Sequence, residues 1–153
     1  MRSYAKKYNQ NEDLWAAAGL LHDFDYEKFP EEHPVPGVQI LKKKNYSESL
    51  IHAILSHAHE RTKVVPTTIL DKTLIAVDEL SGLITALAKV RPEGFNGMNS
   101  DSVEKALKKK GFAEKVNRTD IENGINGLKV DRKEHFELII YALKKLSEKK
   151  EEK

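Results

Sequence analysis

The sequence predicts an all-α fold, a helical bundle, on three observations. Apolar residues recur every three or four positions along most of the chain, no stretch alternates as a half-buried strand does, and cap residues precede several periodic segments. The 153 residues suit one domain, large enough to bury a core without staples. The absence of cysteine excludes disulfides and thiolate zinc sites and fits a reducing compartment, so a cytoplasmic location is expected. No leader-like apolar segment follows Met1, and no apolar run is long enough to span a bilayer, so no membrane role is expected. Net charge is +2, from 26 basic and 24 acidic residues, a balance that does not imply a nucleic-acid partner. The basic excess is local, at Lys42-Lys43-Lys44 and Lys108-Lys109-Lys110, where solvated helix ends are the ordinary reading.

Taken in order, residues 1 to 8 read as the last two turns of a helix, with Tyr4, Ala5 and Tyr8 on one face and no cap before them. That pattern suggests a helix that should begin before Met1. Asn11 caps a second helix over residues 12 to 24, apolar on nearly all sides from Leu14 to Leu21 and therefore expected to be buried. A loop over 25 to 33 leads to Pro34, a favoured first helical residue, and to a helix with Val35, Val38, Ile40 and Leu41 on its apolar side. Ser47 caps a helix over 48 to 60 whose stripe is Leu50, Ile51, Ile54, Leu55 and Ala58. A linker with Pro66 precedes a long helix from about Thr68 to Val90. After the break at Pro92, Gly94 and Gly97, Ser100 or Asp101 caps residues 102 to 110, Thr119 and Glu122 form a capping box, and Asp131 with Glu134 starts the last helix. That helix carries Phe136, Ile139, Ile140, Leu143 and Leu146, and residues 148 to 153 are expected to fray.

Three features carry chemistry. His22 and Asp23 arrive side by side at the end of an apolar helix, where the helix dipole disfavours an anion and a divalent ion would reverse that sign. The alternative is that His22 caps the last carbonyls and Asp23 begins the turn. His57 falls at the edge of its apolar stripe, whereas His52 and His59 lie on a more solvent-facing side. Asp78 interrupts a greasy helix and needs a cation, a hydrogen-bond network or solvent; a wet-face position beside Glu79 satisfies it equally. Antiparallel packing could bring these groups to one end of a bundle, where mixed imidazole and carboxylate ligands suit Zn, Mn, Fe or Mg.

At these residues the chain resembles the HD-domain superfamily of metal-dependent phosphohydrolases, and more closely a subgroup of HD hydrolases of unassigned substrate. The matching stretches are Ala18-Gly19-Leu20-Leu21-His22-Asp23-Phe24-Asp25-Tyr26, His33-Pro34 with Gly37 and Ile40-Leu41, Ile54-Leu55-Ser56-His57, and Ala76-Val77-Asp78-Glu79-Leu80-Ser81-Gly82-Leu83. Val90-Arg91-Pro92, Phe112-Ala113 and Val116-Asn117-Arg118 add to them. The resemblance implies a helical metal-binding core over residues 1–92, with a C-terminal helical extension, 93–153, packed on the same domain. It implies a metal set of His22, Asp23 and Asp78, joined by His33 and His57 where two ions bind, with His59 a weaker candidate. One or two divalent ions (Mn, Mg, Zn, Fe, Co or Ni) would activate a water that Asp23, the catalytic carboxylate, orients toward a phosphomonoester or phosphodiester, a nucleotide among the candidates. Arg91 and Arg118 are the candidate donors to that small phosphorylated substrate.

One family feature is missing: no His precedes His22, although the metal site of the family begins with one. It would lie upstream of Met1, so a misassigned start or a truncated chain is favoured over a lost ligand. The rival function is a catalytically inactive HD-fold module that binds a nucleotide or metal for regulation. The segment after Pro92 could serve as a lid or as a contact in a homo-oligomer.

Overall fold

The structure, a computed structural model, describes residues 1–151. Nine helices and no strand are present among the described residues, so the fold is all-α as the periodicity predicts. No helix among them is long and apolar enough to cross a membrane. The chain forms two compact units, Met1–Ile75 and Ala76–Lys153, whose boundary falls within one long helix.

The first unit is built around α4 (Glu48–His57), against which α2 (Glu12–Leu21), α3 (Val35–Lys43) and the one-turn α5 (His59–Thr62) all pack. Short α1 (Arg2–Lys7) buries Tyr4 and Ala5 against α2. Tyr8 stacks on Tyr4 and leans on Trp15, with ring centroids 5.5 and 6.0 Å apart. Asn11 caps α2 as expected, its side chain accepting from the Leu14 amide at 2.9 Å.

The expected burial of α2 needs correction. The helix stops at Leu21, three residues early, and only Trp15 and Ala18 are buried, while Leu20 is 79% exposed. Its alanines make the helix apolar on all sides without giving it bulk enough to be enclosed, so one i, i+3 stripe carries the packing. On α3 likewise, Val38 and Leu41 are buried but Val35 and Ile40 are exposed; Gly37 completes the inner face. Pro34 stands one residue outside this helix, as its cap.

Ser47 caps α4, accepting from the Leu50 amide, and Leu50, Ile51, Ala53 and Ile54 form its buried face. The helix ends at His57 instead of reaching residue 60. Side chains reach the carbonyls at this end of the helix, among them those of Ile54 and Leu55 that a further turn would use. Ser56 Oγ donates to Ala53 O, His57 Nδ1 to Ile54 O, and Thr62 Oγ1 to Leu55 O and Ala58 O. Such local side-chain bonds compete with helix propagation.

The long helix, α6 (Ile69–Val90), starts on a reciprocal box. Thr68 Oγ1 accepts from the Asp71 amide, while Asp71 Oδ2 accepts from the Thr67 and Thr68 amides at 2.9 and 2.8 Å. His52, expected on the solvent side, is half-buried instead, and its Nδ1 lies 3.0 Å from the same Asp71 Oδ2. Burial pushes the Asp71 carboxyl up, but the Thr68, Thr67 and His52 hydrogen bonds together outweigh it and hold the group below its ordinary value. A depressed folded-state value means stability that is present above the unfolded value and lost as pH falls through the folded one. Asp71→Asn is therefore expected to lower the melting temperature near neutral pH yet to flatten its fall below about pH 4, as read from thermal melts across pH.

In the second unit, α7 (Ser100–Lys108) packs against α9 (Arg132–Glu151), with α8 (Arg118–Leu128) between them in the chain. The caps sit one or two residues earlier than expected. Asn99, not Ser100 or Asp101, caps α7 in a box with Ser102, and Asn117, not Thr119, caps α8 by accepting from the Thr119 and Asp120 amides. Glu122 instead pairs with Arg132 at 2.6 Å, and Arg132 also bonds Glu104, so one guanidinium ties three helices. The Arg132 group is held above its ordinary value, first by the Glu104 hydrogen bond and then by Glu122. Asp131 caps α9, whose Phe136, Ile139 and Ile140 are buried while Leu146 is exposed. The fully buried His135 donates from Nε2 to the Ala76 carbonyl at 3.0 Å. The expected fraying of 148–153 lies partly outside the described residues; α9 continues to Glu151.

Candidate metal centre

Three imidazoles and one carboxylate of the first unit meet where α2, the 25–33 loop and α4 come together. His22 is the residue just past α2, and its Nδ1 lies 3.0 Å from the Gly19 carbonyl one turn back. His57, the last residue of α4, addresses the Ile54 carbonyl in the same way. His33, buried in the loop before α3, places Nδ1 2.6 Å from Oδ1 of Asp25, a carboxylate only 3% exposed. Carbonyl and carboxylate oxygens only accept, so each Nδ1 carries the hydrogen and each Nε2 is left to act through its lone pair.

Those Nε2 atoms converge. His33 Nε2 lies 3.1 Å from His57 Nε2 and 3.1 Å from Asp23 Oδ1. His57 Nε2 is 3.5 Å from Asp23 Oδ1, and His22 Nε2 is 3.4 Å from Asp23 Oδ2. Two imidazole lone pairs facing each other at hydrogen-bonding distance repel unless a cation, a proton or a metal ion, lies between them. The spacing also fits the metal. With metal–nitrogen bonds of about 2.1 Å, two nitrogens at right angles stand about 3.0 Å apart and two tetrahedral ones about 3.4 Å. The donor set of imidazole nitrogens and a carboxylate oxygen suits a divalent transition ion. Asp23, whose side chain is about half exposed, has its carboxyl held below the ordinary value. Where the cation among these groups is a proton, the hydrogen bond that His57 then gives Asp23 is the main cause; burial opposes it, and charge on His22, His57 and His33 adds to it.

A second layer fixes the His33 ring. Asp25 also accepts from the Gly37 amide at 2.7 Å, which fastens the loop carboxylate to the first turn of α3. A Cβ on Gly37 would lie 2.7 Å from Asp25 Cγ and 2.9 Å from Phe24 Cε1, so only glycine lets the two segments approach this closely. The Tyr26 ring meets His33 edge-on at 5.4 Å. From α5, Arg61 Nη1 donates to the carbonyls of His33 at 2.7 Å and Pro30 at 3.1 Å. A ligating imidazole whose other nitrogen is held by a carboxylate is a recurrent support for metals.

The geometry thus brings His22, Asp23, His33 and His57 within one cluster. Asp78 is half-buried on α6, in the second unit, and His59 is exposed on α5. Arg91 and Arg118 both bond backbone carbonyls of their own loops. Arg91 donates to Gly94 and Asn96, and Arg118 to Phe112, Ala113 and Val116. Glu79 accepts from the Asn117 amide at 3.1 Å. Sequence reasoning missed Asp25, Gly37 and Arg61. Asp25 and Gly37 stood inside the matching stretches, but nothing local announces a bond across 12 residues, or across 28 for Arg61.

A family model described as HD domain matches residues 1–83, more than half of the chain. No curated protein and no solved structure matches it.

Proposed function

Because the chain belongs to the HD-domain family, whose members are metal-dependent phosphohydrolases, we propose that it is a hydrolase of a phosphomonoester or phosphodiester, nucleotides included, that works with one or two divalent ions. The observation that carries this reading is the 3.1 Å approach of the His33 and His57 Nε2 atoms beside Asp23, an arrangement that asks for a cation. His22, His33 and His57 would hold the ion through Nε2 and Asp23 through its carboxylate, and Asp78 would supply the distal ligand by the motif it occupies. Residues 1–92 would form the catalytic core and 93–153 its helical extension. When bound, the ion supplies Lewis-acid polarisation of a phosphoryl oxygen and lowers the pKa of a water.

The side chains do the rest. Asp23 accepts a hydrogen bond from the attacking water and aligns it. Asp25 keeps the His33 ring in one tautomer and one orientation, so the donor set is organised before anything binds.

Protein purified without a polyhistidine tag and titrated with Mn, Mg, Co, Ni and Zn tests this reading, together with a panel of phosphorylated substrates. At least one tightly bound ion per chain and metal-dependent phosphate release are expected. No stoichiometric binding of any of the five ions would overturn the proposal. Tight binding of metal and phosphate compounds without turnover would replace it with a regulatory binding module.

A further inference from the structure

We propose that Arg61 grips the phosphoryl group of the substrate, a role that rests on the phosphohydrolase reading above. A phosphoryl group gathers negative charge on its outer oxygens as it transfers and is best met by donors already in place. A guanidinium does this with two parallel N–H groups, provided its plane is fixed and one edge is open.

Arg61 meets both conditions. Its Nη1 carries two hydrogens, and both go to main-chain carbonyls, of His33 and Pro30. Those two bonds fix the guanidinium plane against the very loop that carries the buried His33 imidazole. The edge formed by Nε and Nη2 keeps three hydrogens that no acceptor among the described residues takes, and the residue is exposed. It forms no ion pair with a carboxylate among the described residues, so no internal anion competes for that edge. The arginines singled out from the sequence are placed otherwise. Arg91 uses Nε and Nη2 on its own turn, and Arg118 uses both Nη nitrogens on its own loop.

The fork therefore has the chemistry for a phosphate monoester or diester end, and its anchor belongs to a residue of the metal cluster. A purely structural clamp would need only Nη1. An arginine that also recognises substrate needs the opposite edge, which a lysine cannot reproduce.

The test uses the full chain, manganese and inorganic phosphate, with Arg61→Lys and Arg61→Ala as variants. Manganese affinity and the binding of phosphate to the manganese-saturated protein are measured by calorimetry, and KM and kcat on an active substrate are followed in parallel. Arg61→Lys, which keeps a cation on the loop carbonyls, is expected to stay within about threefold of the wild type for manganese, whereas Arg61→Ala also loses the clamp on the His33 loop and is read against it. Both are expected to lose about 10- to 100-fold in phosphate affinity, in the range of a charge-assisted bidentate contact, with KM rising to match. Arg61→Lys keeps a cation able to reach the loop carbonyls, so it separates recognition from clamping if Arg61→Ala folds poorly. Wild-type phosphate affinity in the manganese-saturated variants would overturn the role of Arg61 and leave the hydrolase reading standing. A wild-type protein that binds no manganese or other divalent ion would overturn the hydrolase reading, and the role of Arg61 with it.

Discussion

Asp23→Asn is expected to cut divalent-metal affinity by at least about 100-fold and to take phosphate release down to background, with the melting temperature almost unchanged. Among the described residues Asp23 is the one carboxylate that all three imidazoles face, at 3.1, 3.4 and 3.5 Å. The amide keeps its size but removes the anion that offsets the charge of an incoming cation. Disturbing even a residue behind the ligands of a metal site costs 10- to 100-fold, so removal of a ligand's charge sets a higher floor. Stability should hardly move, because the side chain is about half exposed and exposed charge pairs contribute about 0–1 kcal/mol. Calorimetric titration with manganese beside a thermal melt measures both quantities. Wild-type metal affinity in Asp23→Asn would remove this carboxylate from the site.

Gly37→Ala is expected to destabilise the protein by about 3 kcal/mol, although alanine is the better helix former. Two opposing terms decide the sign. Helix propensity favours alanine over glycine by about 1 kcal/mol. Against that, the new methyl would lie 2.7 Å from Asp25 Cγ, 2.8 Å from Asp25 Oδ2 and 2.9 Å from Phe24 Cε1. Overpacking a close-packed site costs about 1–3 kcal/mol, and displacing a buried carboxylate from its two partners costs more on top. Gly127→Ala in α8 is the control: its Cβ meets nothing within 4 Å, so the propensity gain should stand alone. Chemical denaturation of both variants reads the difference. Gly37→Ala should also weaken metal binding, since Asp25 can no longer hold His33 in place.

How much of this was legible depends on how far each signal reaches along the chain. Asn11, Ser47 and Asp131 announce helix starts because a cap bonds an amide only three residues away. At α7 and α8 the same local grammar offered several candidates, and the asparagine just upstream took the cap in each case. The facing argument put His57 at the inner edge of α4 and His52 outside, yet His52 turned out to contact the buried Asp71. Periodicity gives a side chain's direction from its own helix and carries no information about what the chain later lays over it. The early stop of α4 was hidden for another reason: Thr62, which takes the Leu55 carbonyl, lies beyond the point where the pattern was being read. Residues that matter by holding others, Asp25 and Arg61 above all, carry no periodic signature.

The joint between α4 and α5 has a dynamic consequence. Because the Ile54 and Leu55 carbonyls are taken by side chains, the amides of Ala58 and His59, which a continuing helix would bond to them, have no main-chain acceptor among the described residues. Exchange with solvent hydrogen should therefore be fast over those two residues and slow in the turns just before them. The supple point of the wall lies immediately after His57, between that ring and the Arg61 side chain fastened to the Pro30 and His33 carbonyls.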